Sequence, residues 1–253
     1  MRIDADCHLA DPSNGTGIGA DELIRRLDEV NVDRAITWPM VSYTRDIAAD
    51  NAAIYQAWRA HPERIISFGG VNPMLGLKVA QAELRRCIEE YGVWGVKLNG
   101  ARDGYYVDDV RLALPLIEMI AEAGLVLAFH CGANDFERTH PYRIAKISAQ
   151  FPDLRLMLVH MGGSGLPDIA EAVMDLASSH PNWYLIDSEV EYRKIHRALA
   201  QVGPERICYG SDTPFCPMRF EWGLRQVVYQ DLEPAEREMV FGGNIARMLG
   251  IRA

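Results

Sequence analysis

Eight short runs rich in β-branched and aliphatic residues recur along this 253-residue chain, each followed by a polar turn and then a longer amphipathic stretch. The runs are Arg2 to Leu9, Arg34 to Pro39, Ile65 to Val71, Val93 to Leu98, Leu125 to His130, Leu154 to His160, Trp183 to Asp187 and Ile207 to Tyr209. Helical periodicity fills the intervals, for example over Ala20 to Val30, Thr44 to His61, Leu77 to Tyr91, Val107 to Ala123 and Leu166 to Ser179. Strand alternating with helix calls for a parallel sheet, because parallel neighbours need a crossover between them. Gly92 and Gly124 stand where a left-handed cap would end a helix, and Pro62, Pro152 and Pro181 follow helical stretches that they would stop.

Eight such units in a chain of this length predict an α/β fold, a single-domain (β/α)8 TIM barrel over residues 1–253. A doubly wound open sheet would show the same alternation. It would concentrate its polar residues at one switch point, usually beside a glycine-rich first turn, and no G-x-G-x-x-G follows the first run here. The polar residues are instead spread over the ends of many runs, where a barrel brings them onto one rim. No Ser/Gly linker or charge run divides the chain.

Those strand-end residues are Asp6, His8, Lys97, His130, His160, Glu189 and Asp212. Asp6 and His8 are two apart, so an extended strand points both to the same face. Carboxylate oxygen and imidazole nitrogen are good ligands for a divalent ion. A lone histidine after a strand is more often hydrogen-bonded scaffolding, but His130, His160 and Asp212 reaching the same rim make a site the better reading.

Composition narrows the partners. The formal net charge of -9 argues against nucleic acid, which needs a basic face. The first residues are acidic where an export signal needs an apolar core, and no apolar stretch approaches the ~18 residues of a membrane span. A cytoplasmic protein with no membrane association is expected. Five cysteines in irregular positions predict free thiols, with Cys7 and Cys131 turned away from the axis among the helices. Trp222 and Tyr229 are expected to be exposed, as candidates for a homo-oligomer interface.

The motifs together resemble the amidohydrolase superfamily, in its amidohydrolase-2 branch, which includes aminocarboxymuconate-semialdehyde decarboxylase and 2-pyrone-4,6-dicarboxylate lactonase. Ile3-Asp4-Ala5-Asp6-Cys7-His8 corresponds to the first-strand D-x-H-x-H pattern, and His130-Cys131-Gly132 to the fifth-strand histidine. His160-Met161-Gly162-Gly163 matches H-x-G-G, Gly210-Ser211-Asp212-Thr213-Pro214 matches G-S-D-x-P, and Gly243 to Leu249 resembles the closing helix. The resemblance implies that Asp6, His8, His130 and Asp212 hold one divalent metal ion, zinc first and manganese second, with Asp212 and His160 as acid/base groups. Asp6 departs from the pattern, standing where the usual first histidine would be. Its added negative charge weakens the ion as a Lewis acid and favours harder metals. Lactone-hydrolysing members that need no metal keep metal-free catalysis as an alternative.

The resulting expectation is a metal-dependent hydrolase of a small amide, lactone or ester, with a non-oxidative decarboxylase as the alternative. Lys97 and Asn99 at the fourth strand, Arg102, Arg138, His140 and Arg219 in loops over the mouth, and Glu189 after the seventh run are the candidate substrate-binding residues. Trp38 and Asn72 could complete the wall. The clustered cations suit a small carboxylate as substrate.

Overall fold

The computed structural model describes residues 1–10, 17–40 and 47–252. Strands and helices alternate as β1 (Ile3–Leu9), α1 (Ala20–Val30), β2 (Arg34–Pro39), α2 (Ile47–Ala60), β3 (Ile65–Gly70), α3 (Leu77–Arg86), β4 (Gly95–Leu98), α4 (Gly100–Asp103) and α5 (Leu114–Glu122). There follow β5 (Val126–His130), α6 (Pro141–Gln150), β6 (Leu156–Val159), α7 (Ile169–Ala177), β7 (Trp183–Ile186), α8 (Tyr192–Val202), β8 (Ile207–Cys208), α9 (Met218–Val228), α10 (Pro234–Glu238) and α11 (Asn244–Leu249). The strands are parallel and ordered β1 to β8. Ala5 donates its amide to the Tyr209 carbonyl at 2.9 Å and His8 to that of Thr213 at 2.7 Å, which joins the last strand to the first. The predicted (β/α)8 barrel is the observed fold.

Period-two alternation sorts the strand residues into two cores. One face packs on the helices: Leu127 and Phe129, Leu156 and Leu158, and Trp183 and Leu185 lie in a cluster with Leu84, Ile117, Ile144 and Val173 from the surrounding helices. The other face fills the axis with Ile3, Ile36, Ile66, Phe68, Val126, Met157 and Ile186, plugged from below by Ile245, Met248 and Leu249 of α11. Gly95 is needed there, because a Cβ on it would come within 2.3 Å of the Phe68 ring.

The first strand breaks this alternation once. Ile3 and Ala5 belong to the axis cluster, whereas Cys7 packs with Leu23 and Leu27 of α1. The pairing with β2 slips between Asp4 and Cys7, so that Asp4 is opposite Ala35 but Cys7 is opposite Thr37. This bulge inserts one residue, changes the phase of the strand, and brings Asp6 and His8 onto the inward face.

Several boundaries differ from the predicted ones. The helix expected from Val107 begins at Leu114, because the Asp109 carboxylate accepts from the amides of Arg111 at 2.8 Å and Leu112 at 2.9 Å and holds a turn there. Thr44, the expected start of the second helix, lies outside the described residues. Trp222 and Tyr229 are corrected as exposed aromatics. Tyr229 is fully buried and Trp222 packs edge-on to Tyr209 at 5.2 Å, since Trp222 lies on the inner face of α9 and Tyr229 is the residue that caps its C-terminal end. Cys7 and Cys131 are buried on the helix side, and the five cysteines are free. Among the described residues no helix is long and apolar enough to cross a membrane.

Candidate active site at the strand ends

Above Phe68 and Val126 the axis changes from apolar to charged. Lys97 shares the parity of Gly95 on β4, and His130 shares that of Val126 and Ala128 on β5, so both face inward. His160, Glu189 and Asp212 come just after β6, β7 and β8, with φ of 65°, 57° and 55°. Left-handed backbone at non-glycine residues costs roughly 1–3 kcal/mol each and persists where the surroundings enforce it. Here it turns residues that have left the sheet back towards the axis.

Asp6 is fully buried at the centre of the group. Its Oδ2 accepts from Ser188 Oγ at 2.5 Å, and Lys97 Nζ lies 3.4 Å from Oδ1. Burial pushes this carboxyl up, but the charge of Lys97, followed by the imidazoles of His160 and His8, outweighs that and holds it below its ordinary value. Lys97 Nζ also lies 3.4 Å from His8 Nε2 and 3.9 Å from the centre of the Trp38 ring. Burial lowers the Lys97 pKa, against the opposing pull of Asp6 and Asp212. A compact ammonium between a carboxylate and an aromatic face is a favourable arrangement for a desolvated cation.

His8 is neutral. Burial first and the Lys97 charge second drive its pKa to about 3. Its Nδ1 lies 3.0 Å from the Pro39 carbonyl, which places the proton there, and Nε2 accepts from Trp38 Nε1 at 3.2 Å. His130, pushed down mainly by burial, donates from Nε2 to Asn134 Oδ1 at 2.8 Å and meets the His160 ring edge-on at 4.9 Å. His160 Nδ1 lies 3.1 Å from the Ser188 carbonyl, leaving Nε2 as its electron-pair donor. Asp212 has Oδ1 3.5 Å from His8 Nε2. Burial, reinforced by the Asp6 charge, lifts its carboxyl well above the usual range.

Asp6, His160 and Asp212 bring one ligand atom each to within 4.8 Å of one another, and all three are buried. Two carboxylates and an imidazole form a donor set suited to manganese or zinc, so the residues fit a divalent ion. His8 and His130 border this group, but their nitrogens already face Trp38 and Asn134. Glu189, Asp212 and Cys216 form a second, more exposed grouping at the mouth.

A cavity of about 260 Å³ opens over the group, lined by His8, Arg102, His130, Asn134, His160, Ser164, Glu189, Asp212 and Phe215. Of the expected substrate-binding residues, Arg102 and Glu189 are on this wall. Lys97 and Asn99 line a small adjoining hollow of about 30 Å³, and Asn99 Oδ1 caps the Arg102 amide at 3.2 Å. Arg138 is paired with Asp135, His140 caps α6, and Arg219 is exposed on α9; none of the three lines the cavity. Asn72 caps the turn at Pro73 and lines a separate hollow of about 440 Å³ against α3. Sequence reasoning missed Ser188, Asn134, Ser164 and Phe215. The parity of β7 carries a signal for Ser188, since Ile186 faces the axis and a residue two further on does too.

A family model described as amidohydrolase, Amidohydro_2, matches residues 3–251. The chain is 23% identical over 239 residues, 79% of its length, to 2-amino-3-carboxymuconate-6-semialdehyde decarboxylase of Dictyostelium discoideum, and the match spans 65% of that relative. Among solved structures it resembles 5-carboxyvanillate decarboxylase of Sphingomonas paucimobilis, with TM-score 0.76, 17% identity and 99% of each chain covered. It also resembles a dihydroxybenzoic acid decarboxylase of Polaromonas sp. JS666 holding manganese and 2-nitroresorcinol, with TM-score 0.74, 20% identity, and 100% of this chain and 98% of that one covered.

The expected hydrolase is corrected here. These relatives are decarboxylases. With almost its whole length matched, this chain belongs to the amidohydrolase family of the Amidohydro_2 type.

Proposed function

We propose that this chain is a metal-dependent, non-oxidative decarboxylase of a small carboxylate, a carbon–carbon lyase. The observation that carries this reading is the buried trio Asp6, His160 and Asp212 under a cavity of modest size, in a chain related to a decarboxylase. Those three residues would hold the ion, with manganese preferred over zinc because two of the three donors are hard oxygens. Bound there, the ion would supply a positive charge that orients the anionic substrate and offsets the negative charge gathering on its carbon skeleton as CO₂ leaves.

The chain's own residues do the rest. Arg102 at the mouth steers and neutralises an anionic substrate, and Phe215, whose ring lies edge-on 5.2 Å from His8, supplies an apolar wall that keeps water from the reacting carbon. Lys97 offsets the Asp6 charge, so that the group does not repel a carboxylate. The carbon–carbon bond breaks with its electron pair staying on the carbon that loses CO₂. That carbon then takes a proton entering from solvent at the rim, while Asp212 stays ionised as a ligand. Developing charge is met by groups already in place rather than by reorienting water. The substrate therefore needs an aromatic ring or a conjugated carbonyl to accept the electron pair transiently.

The test is release of CO₂ from hydroxylated benzoates such as 2,6-dihydroxybenzoate and 5-carboxyvanillate by the manganese-loaded protein, with solvent deuterium appearing at the vacated carbon. Turnover of lactones or amides with no CO₂ release from any carboxylate would overturn the reading.

A further inference from the structure

Beneath the site lies a buried polar network to which the chemistry above assigns no part. Asp187 follows β7 with the parity of Leu185, so it turns away from the axis towards α9. There it meets Arg225, and the two side chains are 0% and 1% exposed. Arg225 Nε donates to Asp187 Oδ2 at 2.8 Å and Nη2 donates to the Asp187 main-chain carbonyl at 2.6 Å. Tyr229, at the C-terminal cap of α9, donates its hydroxyl to the same Oδ2 at 2.5 Å. The Asp187 Oδ1 accepts the Gly210 amide at 2.9 Å. Glu221 completes the surroundings, with Oε2 3.5 Å from Arg225 Nη1.

Stability alone does not call for this arrangement. A buried ion pair replaced by apolar residues of similar volume is often neutral or stabilising, so its worth lies elsewhere than in net folding energy. What the network does is fix geometry. A guanidinium that grips both a side chain and its own main-chain carbonyl leaves that residue no freedom to rotate. The next residue is Ser188, which bonds Asp6 through its hydroxyl and His160 Nδ1 through its carbonyl. Gly210, on the other arm, is two residues before Asp212.

We propose that Arg225, acting through Asp187, is the positioning residue that sets all three members of the trio: it holds Ser188 against Asp6 and His160, and Gly210 under Asp212. This rests on the site reading above. The relay keeps the His160 proton on Nδ1 and its Nε2 electron pair available. Outer partners of metal ligands act in this way, and their loss typically weakens metal affinity 10- to 100-fold.

The test uses the full chain labelled with ¹⁵N-histidine, reading the His160 ring nitrogens by NMR, assigned by their loss in His160→Gln. Manganese(II) affinity is read in parallel from the paramagnetic resonance of free ion. Arg225→Lys keeps the charge but loses the fixed planar fork that spans the two acceptors, and Tyr229→Phe removes one bond. In the unaltered protein His160 shows a protonated Nδ1. Arg225→Lys is expected to give mixed tautomers and about tenfold weaker manganese binding, and Tyr229→Phe a smaller change in the same direction. Should Arg225→Lys fail to fold, Tyr229→Phe decides alone. Unaltered His160 signals and manganese affinity in every folded variant would overturn the proposal. A lack of CO₂ release from the unaltered protein would sink the decarboxylase reading but leave these signals as they are.

Discussion

The lower and upper halves of the barrel axis are built by the same strands, yet they are opposite in character. Below, Ile3, Ile36, Ile66 and Met157 interdigitate over the α11 plug; above, Asp6, His8, Lys97, His130 and Asp212 occupy corresponding inward positions. The change takes only a few residues along each strand. Apolar side chains in the lower half lower the free energy of the fold by leaving water, roughly 1.5–3 kcal/mol for each fully buried aliphatic. The charges above gain nothing of that kind and survive desolvation only by pairing, as Lys97 does with Asp6 and Trp38. The lower half therefore stabilises a barrel that the upper half would tend to open, and each half is open to separate attack.

The largest effect is expected at the rim. Asp212→Asn should lower manganese affinity and CO₂ release by at least the ~10- to 100-fold that loss of an outer partner of a ligand costs, with the melting temperature of the metal-free protein maintained or raised because a buried, repelled carboxyl is removed. Kinetics and calorimetry on one preparation check both halves of that statement. In the lower axis core, Ile66→Ala should cost about 2–5 kcal/mol in denaturant unfolding while turnover per folded molecule stays near that of the unaltered chain. A matching loss of turnover would mean that the two halves are coupled more tightly than their separate clusters imply.

Asp4 lies between the two regimes and gives a pH signature. It is fully buried, and burial, with a further push from Asp6, raises its carboxyl to about 7 despite bonds from the Asp6 and Ser211 amides. Between its ordinary value near 3.8 and that raised value the folded chain binds more protons than the unfolded one. Its contribution to stability is thus complete below about pH 4 and lost as pH rises through about 7. Asp4→Asn should flatten that slope in a series of unfolding midpoints. The smallest effect is expected at Arg219, where replacement by Met should alter stability within about ±0.5 kcal/mol and leave KM unchanged, whereas Arg102→Met should raise KM. Equal changes for the two would remove Arg102 from the cavity wall's function.

Much of the frame was legible before any coordinates. Alternating periods predicted the strands and helices, and the parity of Asp6 and His8 put them on one face. Less legible was which face that would be. Counting by twos from Ile3 would have sent both side chains towards α1, and the bulge that prevents this has no compositional mark. His160 posed a related difficulty, because it lies one residue beyond a regular strand and its left-handed backbone supplies the direction. Arg138 and His140 were expected over the mouth as residues of a loop between strand and helix, but Asp135 and the α6 amides hold them locally. Ser188 belongs to no motif that marks it in the sequence, although two of the buried trio bond to it.

The bulge in β1 makes strand register itself a functional variable. Deleting Ala5 would remove the extra residue and leave Asp6 in step with Ile36, with Asp6 and His8 still facing the axis. What would turn them to the helices is a slip at unchanged length, in which Ala5 pairs with Ile36 and the strand runs on in step, because a shift of one residue reverses every side chain beyond it. Every ligand would still be encoded, in the same order, with the same composition. A descendant could thus become chemically silent through a change of pairing that no comparison of catalytic residues would flag.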